Sequence, residues 1–158
     1  MNVEIGGFAA HWRHCDQMAN YLSRAVSLER TDSFFYSNLL STVLNELFEI
    51  VFYQHQSAGQ LLCSILRDGP VDRIELNIPV GKTQTEFYQS SVADAQSLRA
   101  GELYTRSLLG EAGASGAVGL LELASDYGAK IWVDSLDTPN QLRLTVDISL
   151  EENRSPSV

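Results

Sequence analysis

Residues 60–80, QLLCSILRDGPVDRIELNIPV, decide the fold class of this chain. The first part, Gln60–Arg67, is rich in apolar residues that favour strands, and Asp68-Gly69-Pro70 is a turn signal. From Arg73 to Val80 apolar and polar side chains alternate, which indicates a strand with one covered face. The segment therefore predicts an antiparallel hairpin whose apolar face is covered by other elements.

Helical periodicity dominates the segments around this hairpin. The long apolar stripe after Thr31-Asp32, a candidate N-cap, predicts a largely buried helix that ends near Gln54–Ser57. The other expected elements are a short strand within Val3–Ala10, a helix over Asp16–Leu28, two helices between Thr83 and Leu109, a helix that stops at Gly128, and strands at Ala129–Ser135 and Gln141–Leu150.

Strands joined as hairpins, with helices that must cover one face, predict an α+β fold. We expect a two-layer sandwich in which a mostly antiparallel sheet is covered on one face by helices. Residues 1–150 are expected to form a single domain, followed by a polar C-terminal tail at 151–158.

Composition and charge narrow the class of partner. The chain has 158 residues, 44% of them hydrophobic and 20% charged, which is typical of a globular domain. Its net charge of −9 and scattered basic residues argue against nucleic acid or an anionic membrane surface as a partner. No apolar run approaches the roughly 18 residues that span a bilayer, and the N-terminus lacks the pattern of a signal peptide. We therefore expect a cytoplasmic protein in which Cys15 and Cys63 are buried free thiols.

The predicted long helix carries a group of polar residues within its apolar pattern. Asn45 and Glu49 are four residues apart and so share one helix face, with Glu46 one step round. A carboxylate beside an amide suits a metal-bound phosphate or an activated water. The alternative is the solvated edge of an amphipathic helix.

A second candidate site is the small-residue segment Gly113–Gly119, which leads into a helix. Backbone N–H groups at a helix N-terminus favour anions, and glycine allows phosphate to approach closely. A flexible loop ending at an N-cap, Ser115, explains the segment equally well.

Two further patterns fail as sites. Gly81-Lys82-Thr83 does not complete a P-loop, because Leu76 stands where that motif requires glycine. His11, His14 and Cys15 lie close together, but no second ligand pair follows at a useful distance, so surface imidazoles are the better interpretation.

Taken together, these motifs resemble the GHKL (Bergerat-type) ATPase and kinase superfamily over about Phe34 to Leu150. Asn45-Glu46-Leu47-Phe48-Glu49-Ile50 looks like its N-box, and Gly116-Ala117-Val118-Gly119-Leu120-Leu121 looks like its later glycine motif. Asp126-Tyr127-Gly128-Ala129-Lys130, followed by two strands, is similar to a small stand-alone bacterial signalling group. That group is related to SiaB-type kinases and, more distantly, to anti-sigma-factor serine kinases.

The resemblance implies a histidine-kinase-like ATPase fold and assigns roles to individual residues. Glu46 matches the glutamate that activates water or a hydroxyl, and Gly116 and Gly119 match the phosphate-binding glycines. Ile50 stands where the family has an asparagine that ligates Mg²⁺, so Asn45 or Glu49 would have to replace that ligand. Asn77 stands in the place of the aspartate that reads adenine. The nucleotide motifs are therefore degenerate, and the metal ligands are unknown.

Three functions follow. The first is a bacterial signalling regulator that has lost or weakened ATP turnover and acts by binding a partner protein. The alternative is an active ATP-dependent Ser/Thr protein kinase or ATPase of the anti-sigma-factor type, with ATP, with or without Mg²⁺, as its cofactor. The third is an α+β domain that binds another small molecule or builds a complex. A homodimer through Phe34-Phe35-Tyr36 is a further expectation, with core packing as the alternative for these aromatic residues.

Overall fold

The computed structural model describes residues 1–4, 13–28, 30, 32–55, 59–110 and 118–150, and residues 2–4 by their backbone alone. Its elements in chain order are β1 (Asn2–Glu4), α1 (Arg13–Ser27), α2 (Ser33–Gln54), β2 (Gln60–Asp68), β3 (Val71–Pro79), α3 (Lys82–Gln96), α4 (Ala100–Leu108), α5 (Val118–Asp126), β4 (Lys130–Ser135) and β5 (Gln141–Ile148). None of the described helices is both long and apolar enough to cross a lipid bilayer.

The strands form one sheet in the order β1-β2-β3-β5-β4, and all neighbouring strands are antiparallel. Leu76 pairs with Cys63 on one side and Leu144 on the other, so these three buried side chains share the inner face of the sheet. The predicted α+β class, with an antiparallel sheet covered by helices, is confirmed. At the β4 edge, the Gln96 side-chain amide donates a hydrogen bond to the backbone oxygen of Ile131 at 2.6 Å.

Helix α2 is the centre of the core, as its apolar stripe predicts. Eight of its residues are buried, and they recur at helical spacing: Tyr36, Leu40, Val43, Leu44, Leu47, Phe48, Ile50 and Val51. Each fully buried aliphatic or aromatic side chain contributes about 1.5–3 kcal/mol relative to an exposed one. Helix α1 packs along α2 through the buried Cys15, Ala19, Ser23 and Ser27, which lie four residues apart. Burial of the whole stripe therefore fixes the position of α2.

The N-terminal end of α2 is attached to β3 through a buried carboxylate. The Tyr36 hydroxyl donates a hydrogen bond to Asp72 Oδ1 at 2.8 Å, and Arg30 Nη1 lies 3.7 Å from Asp72 Oδ2. The Arg30 guanidinium also covers the Tyr36 ring, 3.2 Å from its centroid. Tyr36 therefore belongs to the core, whereas Phe34 is 80% exposed. The three aromatic residues do not form one continuous surface.

The C-terminal end of α2 is attached to α3 through His55. The side-chain oxygen of Gln84 accepts a hydrogen bond from Gly81 N. The side-chain nitrogen of Gln84 is therefore free to donate to Gln54 O at 3.0 Å, and it also lies 3.2 Å from His55 Nδ1. His55 Nδ1 is therefore the acceptor, and Nε2 carries the proton that is donated to the Tyr88 hydroxyl at 3.1 Å. Burial lowers the pKa of His55 to about 4. The histidine is neutral in the folded protein.

Differences from the expected element boundaries are small. Within the described residues, helix α1 already includes Arg13, three residues before the expected Asp16, and Cys15 in this turn is buried against the core. Strand β1 covers Asn2–Glu4, and the rest of the predicted strand lies outside the described residues. Gly69 and Gly128 adopt φ of 60° and 63°, as the predicted turn and helix stop require. Cys15 and Cys63 are buried free thiols, as predicted.

The contact between Tyr36 and Asp72 predicts a stability effect. Tyr36→Phe removes the hydroxyl and leaves a buried carboxylate oxygen without its donor, which should cost about 1–3 kcal/mol of the free energy of unfolding. Urea denaturation measures this difference. Tyr53→Phe, at a position that is 64% exposed on the same helix, is the control and should change stability by less than about 0.5 kcal/mol.

The buried neutral imidazole predicts loss of stability in acid. The unfolded chain binds a proton at His55 near pH 6.5 and the folded protein only near pH 4, so stability falls as the pH drops through this window. The slope from this group should approach about 1.4 kcal/mol per pH unit. Denaturation at several pH values should show this component in the wild type and in His14→Gln, and should lack it in His55→Gln. A slope unchanged in His55→Gln would contradict the assignment.

Candidate functional site

The middle of α2 brings the predicted N-box residues to two adjacent sides of one helix. Glu46 and Ile50 are one turn apart and face α5, and Asn45 and Glu49 form a second pair beside them. The side chains of Asn45, Glu46 and Glu49 are all partly buried. The polar group therefore lies between packed helices.

Glu46 is in direct contact with the start of α5. A Cβ atom placed on Gly119 would lie 2.6 Å from Glu46 Oε2 and 3.2 Å from Glu46 Cβ. Any side chain larger than hydrogen at Gly119 would thus displace the carboxylate. Two residues that the resemblance assigns to one site are brought together, and the backbone of α5 closes over one of them.

The surroundings of Glu46 are acidic and poorly hydrated. Burial, followed by the neighbouring charges of Glu122 and Glu49, raises the pKa of Glu46 to about 7. The pKa of Tyr104 and of Tyr127 is also raised, first by burial and then by the charge of Glu122. The carboxyl group of Glu46 therefore binds a proton in the neutral pH range, where an ordinary glutamate is ionised.

Asn45 is held by its neighbour one turn later. Its side-chain nitrogen donates a hydrogen bond to Glu49 Oε1 at 2.9 Å. This fixes the amide orientation and leaves Asn45 Oδ1 as a buried oxygen with no hydrogen-bond partner among the described residues. Asn45 and Glu49 thus do share a helix face, as their spacing predicts.

The residues at this site do not fit a bound Mg²⁺ ion. Ile50 is only 6% exposed, and its Cδ1 lies 3.5 Å from the Cβ position of Gly119, so hydrocarbon fills the place that the family gives to a metal ligand. Among the described residues, no group of three or more His, Cys, Asp or Glu side chains has the arrangement of a metal site. Magnesium requires a near-octahedral set of oxygen ligands, which an isoleucine cannot supply.

Of the other predicted nucleotide-binding residues, Asn77 lies away from this arrangement. Gly116, with most of the glycine-rich segment, lies outside the described residues. Asn77 lies on the sheet face opposite the helices, since its neighbours Leu76 and Ile78 are fully buried beneath them. There Asn77 Oδ1 accepts a hydrogen bond from Arg143 Nε at 3.2 Å.

Glu122 and Tyr104 are members of this cluster that the sequence motifs did not reveal. Glu122 follows Gly119 by three residues on α5, so it projects from the same side of that helix. The sequence shows this spacing, but it places Glu122 near Glu46 only when α5 is known to pack on α2. Tyr104 comes from α4, and no local pattern connects it to Glu46.

Comparisons with known proteins support the fold. No protein-family model matches the chain, and no curated protein is similar to it. A chain in the crystal structure of the SiaB–SiaC complex from Pseudomonas aeruginosa superposes with a TM-score of 0.56 at 11% sequence identity, over 87% of this chain and 82% of that chain. The fold is therefore shared with a component of a bacterial two-protein complex, in agreement with the expected similarity to the SiaB-type group.

Proposed function

We propose that this protein is a GHKL-like regulator of bacterial signalling that acts by binding a partner protein and has lost or weakened ATP turnover. The observation that carries the proposal is the contact between Glu46 and Gly119. In a working site of this type, phosphates and their metal ion would lie between the N-box glutamate and the glycine motif. Here the Gly119 Cβ position is 2.6 Å from Glu46 Oε2, which leaves no space between them.

The charge around Glu46 supports the same conclusion. The charges of Glu122 and Glu49 both raise the pKa of Glu46, and none of the causes of that shift is a cation. A nucleoside triphosphate would add further negative charge to this partly buried site. Phosphoryl transfer depends on metal ions and cationic side chains to stabilise that charge. With Ile50 in the ligand position, this protein offers little to offset the repulsion.

The function as a partner-binding protein is supported by the fold. The structure that shares it is described as a complex of SiaB with SiaC, so this architecture is compatible with docking a second signalling protein. We propose a partner of that kind, a small protein of the phosphorylatable antagonist type, and a cytoplasmic location for both. The net charge of −9 favours a partner surface with exposed basic residues.

An active ATP-dependent kinase or ATPase is the second candidate, and one observation favours it. A pKa of about 7 at Glu46 suits a general base at neutral pH, because the ideal catalytic pKa lies near the operating pH. Asn45 Oδ1, buried and without a hydrogen-bond partner among the described residues, is an oxygen that a rearranged site would use. In that case Glu46→Ala should abolish turnover without unfolding the domain.

Nucleotide titration separates the two candidates. We expect calorimetry with ATP or ADP, each with and without Mg²⁺, to show no Mg²⁺-dependent saturable binding up to about 1 mM nucleotide, a weaker affinity than about −4 kcal/mol. Ile50→Asn, which supplies the amide at the position of the family's metal ligand, should increase any Mg²⁺-dependent signal relative to Ile50→Val. One-to-one, Mg²⁺-dependent binding by the wild type, lost in Glu46→Ala, would instead support the kinase.

Protonation of Glu46 gives a test of the geometry that needs no ligand. The folded-state pKa of about 7 lies above the unfolded value of 4.5, so Glu46 stabilises the fold below pH 4.5 and this contribution is lost as the pH rises through 7. Glu46→Gln keeps a neutral side chain at every pH. The stability of Glu46→Gln relative to the wild type should therefore increase by roughly 2 kcal/mol as the pH rises from about 5 to about 8. The exposed Glu86→Gln on α3 should show no such trend.

A further inference from the structure

The outward side of α1 carries a narrow stripe of exposed side chains. Gln17, Tyr21, Arg24 and Leu28 follow one another at intervals of four, three and four residues, the spacing of a helix-pairing seam. Tyr21 is 70% exposed and Leu28 is 81% exposed, although both are large and apolar. The opposite side of α1 is already packed on α2. The helix therefore has a second side, with both apolar and polar residues, that nothing in the described chain covers.

A row of residues along one edge of this stripe has a negative charge at one end and a positive charge at the other. Asp16, Asn20 and Arg24 are spaced by four residues and so form one row on the surface of α1. Asp16 lies at the N-terminal end of the row and Arg24 at the other, and both side chains are exposed. Asn20 between them donates to Asp16 Oδ1 and accepts from Ser41 Oγ, so the middle of the row is fixed to α2. Among the described residues no ion pair involves Arg24.

We propose that this face of α1 pairs with the same face of a second copy of the chain, antiparallel, around a two-fold axis near Asn20. A two-fold axis places each residue opposite its equivalent across the centre, so Asp16 of one copy would face Arg24 of the other, twice per dimer. It would also bring the two Tyr21 rings close together. The row is thus complementary to itself only in the antiparallel arrangement, because parallel pairing would oppose like charges.

The size of the surface sets the strength of the association. A stable interface buries roughly 800 Å² per partner, and a helix of 15 residues is only about 22 Å long, so α1 supplies less than that. An open depression of about 680 Å³ lies along this face and is lined by Asp16, Asn20, Tyr21, Arg24 and Leu28 among others, so side chains of an opposing helix would have room there. We therefore expect a weak dimer whose population rises with protein concentration. This inference is independent of whether a nucleotide binds.

Charge-reversal variants test the pairing directly. Sedimentation equilibrium of the wild type between about 5 μM and 500 μM should show a reversible monomer–dimer equilibrium. Arg24→Asp replaces two attractive contacts with two repulsive ones and should raise the dimer dissociation constant by about tenfold or more. Asp16→Arg should have the same effect. The double variant Asp16→Arg/Arg24→Asp exchanges the two charges and should restore dimerisation.

The controls separate pairing from general charge effects. Lys82→Asp makes the same change in net charge at an exposed position on α3 and should leave the equilibrium unchanged. Thermal denaturation should show that every variant remains folded. A wild type that stays monomeric over the whole range would overturn the proposal, as would a dimer that is insensitive to Arg24→Asp or a double variant that is not restored. Binding of a different protein by this face of a monomer belongs to the outcomes that overturn it.

Cross-linking gives a second, geometric test. Tyr21 lies one residue from the proposed axis, so Tyr21→Cys brings two introduced thiols close together, and mild oxidation should give a covalent dimer. The native Cys15 and Cys63 are buried and should not compete. Tyr53→Cys, at a position on α2 that is also exposed, should give far less covalent dimer at the same concentration. Equal yields from the two variants would exclude the proposed axis.

Discussion

Burial of α2 between α1 and the sheet is the constraint on which the rest of the structure depends. The helix is attached at both ends, to Asp72 on β3 through Tyr36 and to α3 through His55. Between these attachments its apolar stripe fills the core, so rotation or sliding of the helix would expose apolar surface and break buried hydrogen bonds at once. Glu46 consequently occupies a fixed place opposite α5, whether or not a ligand is present.

At the Glu46 site a proton takes the place that a cation would occupy in a metal-dependent enzyme. A buried carboxylate must be neutralised by a metal, by a basic side chain or by protonation. Here burial, followed by the charges of Glu122 and Glu49, raises the pKa of Glu46 to about 7. This links the proposed loss of turnover to a measurable property of one side chain.

Much of the fold could be predicted from the sequence because the signals that specify it are local. The alternation from Arg73 to Val80 gave the strand and its buried face, and the apolar stripe of α2 gave the central helix. The two attachments of α2 were not predicted, since Tyr36 and Asp72 are 36 residues apart and His55 and Tyr88 are 33 apart. No periodicity reports such contacts.

The candidate site was predicted in part. The contact of Glu46 with Gly119 follows the family resemblance, whereas Glu122 and Tyr104 join the cluster through the packing of α4 and α5, which sequence spacing does not report. For Asn77, the local sequence pattern was a better guide than the motif. Its alternation with Leu76 and Ile78 already placed it on the opposite face of the sheet, although the resemblance assigned it a role in contacting adenine.

The hydrogen bond from Gln96 to the Ile131 carbonyl has a consequence for how other chains can be recognised. Strand β4 is an edge of the sheet, and an open edge is a template for adding a foreign strand. Because the Gln96 amide already donates to the Ile131 carbonyl of β4, an incoming strand would have to displace the Gln96 side chain before it could pair along the whole of β4. This hydrogen bond opposes edge-to-edge pairing of sheets on this side and favours recognition through side-chain surfaces, where specificity can be encoded residue by residue.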